Sequence, residues 1–195
     1  MSDLIAFEGL DQSGKETQAS MLRDALRGRG VAVEYLTFPD YTTPIGRELE
    51  RALLGERAFG PDVMQLLFIA NRYERREHIA GSLRAGTRVI CDRYVASSVA
   101  YGEGHGLDPT WLADIQRFLP PPALTILLDI EPAAAARRKS ADRDRYERDL
   151  ALLARVRESY LRQARQPAWV RIDGARPKET VAADVLSAVT GLGLP

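Results

Sequence analysis

The glycine-rich segment at residues 9–17 constrains the fold of this 195-residue chain more than any other feature. It reads GLDQSGKET, follows the apolar run at residues 4–7 and precedes residues 15–29, which have helical spacing. Glycines let a backbone curl so that successive N–H groups point at phosphate oxygens, and the start of a helix adds positive character. A strand, a glycine-rich loop and a helix in this order predict a phosphate-binding site rather than an incidental turn.

The loop offers both backbone and side-chain donors to ATP, and the residues expected to bind ATP are Gly9, Gln12, Ser13, Gly14, Lys15, Glu16 and Thr17. Lys15 supplies a positive charge for the β- and γ-phosphates. The residue after such a lysine is usually a serine or threonine that binds Mg²⁺, but here it is Glu16, and Thr17 follows one place later. Glu16 is expected to face solvent in the first helical turn, where negative charge is favourable. The sequence leaves open how Mg²⁺ is held.

Short apolar runs alternate with longer amphipathic stretches along the rest of the chain. The predicted strands are residues 4–7, 31–36, 88–91, 124–128 and 169–172, and the predicted helices are residues 15–29, 44–54, 61–83, 95–101, 109–118, 146–166 and 177–189, with a further helix that begins at Pro132. This alternation predicts a single α/β domain over residues 1–195, with a five-stranded parallel sheet and helices on both faces. Ligands of such folds bind at the carboxyl ends of the strands.

Charge and composition exclude several classes of partner. Lys plus Arg and Asp plus Glu both number 27, so the net charge is zero and a general nucleic-acid-binding surface is not expected. The single cysteine cannot form a disulfide within the chain. Residues 1–8 lack the pattern of a signal peptide, and no apolar stretch is long enough to cross a bilayer. We therefore expect a cytoplasmic protein without a membrane or nucleic-acid partner.

Three further segments point to the acceptor of a phosphoryl group. They read FPDYTTPIG at residues 38–46, LLFIANR at residues 66–72 and DRYVASS at residues 92–98. In this order and spacing they resemble the thymidylate kinase family, and YERD at residues 146–149 is similar to its mycobacterial members. The resemblance covers nearly the whole chain. It implies a three-layer P-loop kinase fold with a basic lid, which transfers the γ-phosphoryl group of ATP to dTMP with Mg²⁺ and gives dTDP for dTTP biosynthesis.

The resemblance also implies a role for individual residues. Phe68 would stack on the thymine ring, and Arg72 would bind the edge of the base. Asp11 would contact the 3′-hydroxyl of dTMP, Arg93 would bind its phosphate with help from Tyr41, and Tyr101 would disfavour a ribose 2′-hydroxyl. The full set implied for dTMP is Asp11, Phe38, Pro39, Tyr41, Phe68, Arg72, Arg93, Ser97, Ser98 and Tyr101.

Several of these residues have a purely structural alternative. Phe68 has helical spacing to Met64 and could simply pack in the core, and Arg72 could belong to a solvated helix face. Asp92 could simply end its strand, although with Asp11 it is also the expected ligand of Mg²⁺. Arg93 is the least ambiguous, because an arginine at the carboxyl end of a strand faces the phosphate site.

A basic segment at about residues 137–147 is predicted to be the lid. Phosphoryl transfer spreads negative charge over the transferred group, and a closing loop with arginines would neutralise that charge. Some family members carry an essential arginine in the phosphate loop, but residues 11–13 here read DQS, so the lid would supply it. The residues expected to be catalytic are Lys15, Arg93, Asp11, Arg138, Arg143 and Arg145. For any single lid arginine, a salt-paired helix end is the alternative.

The sequence leaves two other functions open, and the resemblance implies an oligomeric state. The chain could phosphorylate a different nucleotide or nucleoside, or bind nucleotides without catalysis, for which Glu16 is the main support. Retention of Lys15, Arg93 and the basic lid favours catalysis. The resemblance further implies a homodimer, and the apolar stretch at residues 63–67 would serve packing or pairing.

Overall fold

A computed structural model describes residues 3–138 and 149–191, so the predicted lid residues Arg143 and Arg145 lie outside the described part. The strands are β1 (Leu4–Glu8), β2 (Val33–Thr37), β3 (Arg88–Asp92), β4 (Leu124–Asp129) and β5 (Trp169–Asp173). They form one parallel sheet in the order β2-β3-β1-β4-β5. The predicted α/β class and five-stranded parallel sheet are confirmed. The glycine-rich loop follows the central strand.

The helices of the described residues are α1 (Lys15–Arg27), α2 (Pro44–Leu53), α3 (Pro61–Glu74), α4 (Arg76–Arg84), α5 (Val95–Gly104), α6 (Pro109–Asp114), α7 (Pro132–Arg138), α8 (Leu150–Gln163) and α9 (Lys178–Gly191). Prolines begin α2, α3 and α6, where a missing N–H costs no helical hydrogen bond. Within the described ranges, no helix combines the length and apolar character needed to span a bilayer.

The sheet is covered on both faces, which gives the predicted three layers. Along β1, Ile5 and Phe7 face one side and pack with residues of α1 and α9, such as Leu22 and Val185. The alternate residues of β1 face the other side and pack with residues such as Ile79 of α4. Because every residue of β1, β3 and β4 is buried, these strands form the rigid centre on which the loops at their carboxyl ends are held.

The helix predicted over residues 61–83 is interrupted. The chain leaves the α3 helix at Arg75 and resumes as α4, so the prediction of one continuous helix was wrong. The Arg75 guanidinium donates hydrogen bonds to Asp40 Oδ2 at 2.6 Å and to Thr42 Oγ1 at 2.9 Å. These bonds tie the junction between the two helices to the segment that follows β2.

The helix predicted over residues 95–101 extends further, because α5 continues to Gly104. A Cβ atom at Gly102 would lie 2.3 Å from Leu112 Cδ1, and one at Gly104 would lie 2.8 Å from Val156 Cγ2. These glycines therefore allow α6 and α8 to approach α5 closely.

Candidate active site

The loop between β1 and α1 curls as its glycines suggest. Gly9, Gln12 and Gly14 have φ angles of 141°, 63° and 96°, and Gly14 directly precedes the first residue of α1. A Cβ atom at Gly9 would lie 2.4 Å from the carbonyl oxygen of Leu128 on β4, so no larger residue fits there. Left-handed residues in a tight loop turn backbone N–H groups to one side and form a concave anion-binding site.

Lys15 lies at the bottom of this loop. Its side chain is buried, and Nζ donates a hydrogen bond to the Leu10 carbonyl oxygen at 2.7 Å. Burial, and next the positive charge of Arg93, lower the pKa of Lys15 to about 8. A desolvated ammonium group is stabilised by a nearby anion, so the loop favours the binding of phosphate.

A cavity of about 510 Å³ opens above the loop. Most of the residues expected to bind ATP line it, namely Gln12, Ser13, Gly14, Lys15, Glu16 and Thr17, whereas Gly9 lies beneath against Leu128. The loop after β5 contributes Gly174 and Arg176, and the start of α9 contributes Lys178, and the sequence analysis missed all three. The rule that ligands bind at the carboxyl ends of strands applies to β5 as well and would have indicated them.

Arg138, at the end of α7, also lines this cavity. Its guanidinium donates to the carbonyl oxygen of Gln12 at 3.0 Å and to that of Gly174 at 2.8 Å. Of the arginines expected from the lid, Arg138 is the one that lies within the described residues. Its two bonds join the glycine-rich loop to the loop after β5.

Arg93 directly follows β3 and has a left-handed backbone, with φ of 62°. Its Nη2 donates to Asp11 Oδ1 at 2.5 Å, and its Nη1 donates to Ser97 Oγ at 3.1 Å. The Tyr101 hydroxyl donates to the other oxygen of Asp11 at 3.1 Å. The structure thus brings together four residues that the sequence analysis expected to contact dTMP.

The charges of this cluster are strongly perturbed. Burial would raise the pKa of Asp11, but the positive charges of Arg93 and Lys15 hold it well below its usual range. Burial also raises the pKa of Tyr101 well above 10, so its hydroxyl remains a neutral donor. Asp11 is therefore ionised at neutral pH and holds Arg93 in place as an ion pair.

Glu8, at the carboxyl end of β1, supports the cluster from below and was missed by the sequence analysis. This fully buried carboxylate accepts hydrogen bonds from the backbone N–H of Tyr94 at 2.9 Å and from Ser97 Oγ at 2.6 Å. It also accepts one from the Tyr160 hydroxyl of α8 at 3.1 Å. Because Arg93 Nη1 also contacts the Tyr160 hydroxyl at 3.4 Å, Glu8 fixes two of the groups that hold Arg93.

A second cavity, of about 140 Å³, lies between α3 and α5. Every residue that the resemblance implied for dTMP lines it, and it is lined in addition by Leu53 and Gln65. Asp11, Phe38 and Arg93 line both cavities. The two spaces therefore meet at the Asp11–Arg93 ion pair.

Arg72 projects into the second cavity from α3. It is 2% exposed, so the alternative of a solvated helix face is wrong. Its Nη1 donates to Ser98 Oγ at 2.6 Å, and its guanidinium lies 5.9 Å from the centre of the Phe38 ring. Burial lowers the pKa of Arg72 to about 10, which leaves it charged at neutral pH. Phe68 is half-buried and packs against the core cluster around Met64, so it combines core packing with lining of the cavity.

The segment after β2 closes the same cavity and contains a cis peptide bond between Phe38 and Pro39. Asn71 of α3 holds this segment, since its side chain accepts from the Asp40 N–H at 2.8 Å and donates to Thr43 Oγ1 at 2.8 Å. Tyr41 remains exposed at the entrance. Asn71 thus holds in place the segment after β2, which lines this cavity.

Asp92 is the better placed of the two expected ligands of Mg²⁺. It is buried at the end of β3, lines the larger cavity, and its Oδ1 has no hydrogen-bond partner among the described residues. Both oxygens of Asp11 already accept hydrogen bonds, and Glu16 and Thr17 are exposed. No group of three or more acidic, histidine or cysteine side chains suited to a metal occurs within residues 3–138 and 149–191. A single carboxylate together with nucleotide phosphates is a usual set of ligands for Mg²⁺.

Comparisons with known proteins agree with this geometry. The family model described as thymidylate kinase matches residues 7–185. The chain is 35% identical to a thymidylate kinase of Plasmodium falciparum, covering 95% of this chain and 89% of that protein. It is 40% identical to a probable thymidylate kinase of Pyrobaculum calidifontis, with 95% and 94% covered. A solved thymidylate kinase structure from Candida albicans aligns with a TM-score of 0.83 at 28% identity, covering 98% of this chain and 92% of that one.

Proposed function

The chain belongs to the thymidylate kinase family, and from this premise we propose that its two joined cavities bind ATP and dTMP for phosphoryl transfer. The reaction moves the γ-phosphoryl group of ATP to dTMP and gives dTDP and ADP, a step towards dTTP. The observation that carries the assignment of the cavities is that Asp11, Phe38 and Arg93 line both of them. A donor and an acceptor that occupy the two spaces would face each other across one ion pair.

The larger cavity is the proposed donor site. The curled loop offers backbone N–H groups to the β- and γ-phosphates, and the Lys15 ammonium adds a positive charge beneath them. Arg138, which bridges the two loops, would neutralise charge on the transferred group. Asp92 would hold Mg²⁺, which would neutralise further negative charge on the phosphates.

The smaller cavity is the proposed acceptor site. Arg93 binds the phosphate of dTMP, Asp11 accepts a hydrogen bond from the 3′-hydroxyl, and Tyr101 lies under the deoxyribose. Phe68 offers a face for stacking of the thymine ring, and Arg72 offers donors to its O4 atom.

No general base is needed for this reaction. A phosphate monoester is largely a dianion at neutral pH, because its second pKa is about 6. An oxygen of dTMP attacks the γ-phosphorus of ATP while the bond from that phosphorus to the β–γ bridging oxygen breaks, and ADP leaves with the electron pair. The protein's contribution is positioning and charge neutralisation by Lys15, Arg93 and Arg138.

We also propose a homodimer that pairs through α3. Val63 and Leu66 are 38% and 44% exposed on this helix, and Leu54, just after α2, is exposed nearby along the chain. Met64, in the same apolar stretch, is buried and serves packing within the chain instead. Exposed apolar side chains on one helix suit an interface between copies.

The proposed function is tested by comparing phosphorylation rates for dTMP, dUMP, UMP, CMP and thymidine, with ATP and Mg²⁺ present. We expect the highest kcat/KM for dTMP. A preference for thymidine over dTMP would contradict the acceptor assignment. Tight binding of ATP without formation of dTDP would instead support the non-catalytic alternative.

A further inference from the structure

Gln65 on α3 has a side-chain amide oxygen without a hydrogen-bond partner among the described residues. The residue is 2% exposed and lines the acceptor cavity, yet its Oε1 atom has no hydrogen-bond partner among the described residues. Buried polar groups in folded proteins nearly always have a partner, because a desolvated acceptor without a donor destabilises the fold. An unsatisfied amide at the wall of a binding cavity therefore calls for a ligand.

The contacts between α3 and α5 show where Gln65 lies along the cavity. Gln65, Phe68 and Arg72 are three and four residues apart, so they share one face of α3. Across the cavity on α5, Ser98 accepts a hydrogen bond from Arg72, and a Cβ atom at Gly102, one turn later, would lie 3.3 Å from Gln65 Cγ. Arg72 and Gln65 thus lie at two levels along α3, seven residues or about 10.5 Å apart. Phe68 lies between them.

A pyrimidine ring that stacks on Phe68 would lie between these two levels, with one side chain on each side of it. Arg72 is a donor only, so it selects the carbonyl oxygen O4 of the base. With O4 directed towards Arg72, the O2 atom and the N3–H group point towards the level of Gln65. An amide carries one acceptor and two donors, which match these two groups, and its terminal torsion turns with little preference.

We propose that Gln65 recognises the O2 and N3 edge of thymine, with Nε2 donating to O2 and Oε1 accepting from N3–H. This inference rests on the proposed function, since it specifies the base that the acceptor cavity selects. Arg72 and Gln65 together fit a base with carbonyl oxygens at both C2 and C4. Cytosine presents an amino group to Arg72 and carries no proton on N3, so it mismatches both side chains.

Gln65→Leu removes the amide while keeping a similar volume. We expect affinity for dTMP to fall roughly three- to tenfold, which corresponds to the loss of a net hydrogen bond. The unfolding temperature of the ligand-free protein should rise, because an unsatisfied buried amide is removed. A loss of affinity together with a gain in stability separates a ligand-binding residue from one that only packs.

Gln116→Leu is the matched control. Gln116 is equally buried and its Oε1 also has no hydrogen-bond partner among the described residues, but its Nε2 donates to the Leu112 carbonyl oxygen at 2.8 Å and it lines neither nucleotide cavity. This variant should leave the affinity for dTMP unchanged.

Analogues of dTMP with sulfur in place of one carbonyl oxygen show which atom of the base Gln65 contacts. In 2-thio-dTMP a weak acceptor replaces O2, so the wild-type protein should bind it less tightly than dTMP, and Gln65→Leu should bind both alike. In 4-thio-dTMP the change faces Arg72, so both proteins should lose affinity equally. The inference would be overturned if Gln65→Leu bound dTMP as tightly as the wild-type protein does. It would also be overturned if Gln65→Leu still bound 2-thio-dTMP less tightly than dTMP to the same extent as the wild-type protein. Either result would leave the kinase activity intact. Absence of dTMP phosphorylation by the wild-type protein would instead refute the proposed function.

Discussion

At the scale of single residues, Arg93 has the most demanding position, because it lies where the donor and acceptor cavities meet. Its two nitrogens contact different partners, Asp11 and Ser97, which a single ammonium group cannot reproduce. We expect Arg93→Lys to lower kcat/KM for dTMP roughly a hundredfold or more, as with the loss of other preorganised charge donors. Steady-state kinetics with saturating ATP would measure this.

Arg84→Lys provides the control for that substitution. Arg84 is exposed at the end of α4 and lines neither cavity, so its replacement should leave kcat/KM within about twofold of the wild type. Equal losses in the two variants would show that the effect of Arg93→Lys reflects general damage.

The lowered pKa of Lys15 leads us to expect that ATP binding depends on pH. Burial lowers its pKa to about 8, so the free protein loses this positive charge as the pH rises through 8. Bound phosphates favour the charged form, so the pKa is higher in the complex, and affinity for ATP should fall above pH 8 and stay constant below it. Calorimetric titration of ATP between pH 7 and 9 would detect this.

The same titration with Lys15→Arg separates this lysine from other groups. A guanidinium remains charged over the whole range, so the decline above pH 8 should disappear even though absolute affinity is lower. An unchanged decline in the variant would assign the titration to another group.

Residues that lie in continuous motifs were predictable, whereas those that act through distant contacts were not. Lys15 and Arg93 follow directly from the loop motif and the end of β3. The contact between Glu8 and Tyr160 joins residues 152 positions apart, and no local pattern indicates it. Gln65 looks like an ordinary residue in an apolar helix until α5 is placed opposite it.

At the scale of elements, the close packing around α5 determines the shape of the acceptor cavity. A Cβ atom at Gly102 would lie 2.3 Å from Leu112 Cδ1 and 3.3 Å from Gln65 Cγ. We expect Gly102→Ala to lower the free energy of unfolding by about 1–3 kcal/mol through overpacking. Chemical denaturation followed by circular dichroism would measure the change.

Gly81→Ala is the matched comparison, since Gly81 lies within α4 and the nearest atom to its Cβ position is Arg84 Nη2 at 3.9 Å. Alanine there should increase the free energy of unfolding by about 0.5–1 kcal/mol, because it reduces the entropy lost by the helix on folding. A loss of stability at Gly81 as large as that at Gly102 would contradict the packing argument.

The elements themselves were largely predictable because alternating apolar runs mark parallel strands and their connecting helices. The break between α3 and α4 was not, since Arg75 is held there by Asp40, more than thirty residues earlier. The extension of α5 to Gly104 was missed because glycines indicate loops when their tertiary neighbours are unknown.

At the scale of the whole molecule, the proposed homodimer would cover the exposed apolar residues of α3. We expect Leu66→Glu to shift the sedimentation coefficient from that of a dimer to that of a monomer, because it buries a charge in the interface. Phe118→Glu, at an exposed apolar residue after α6, should leave the assembly unchanged. A wild-type protein that sediments as a monomer at micromolar concentration would refute the dimer.

The central claim is that donor and acceptor face each other across the Asp11–Arg93 pair. A crystal structure with dTMP and a non-hydrolysable ATP analogue bound together tests it most directly. We predict the dTMP phosphate on Arg93, its thymine on Phe68, and the γ-phosphate of the analogue beside Lys15. A structure with dTMP bound outside the cavity between α3 and α5, or with the analogue away from the glycine-rich loop, would contradict the account.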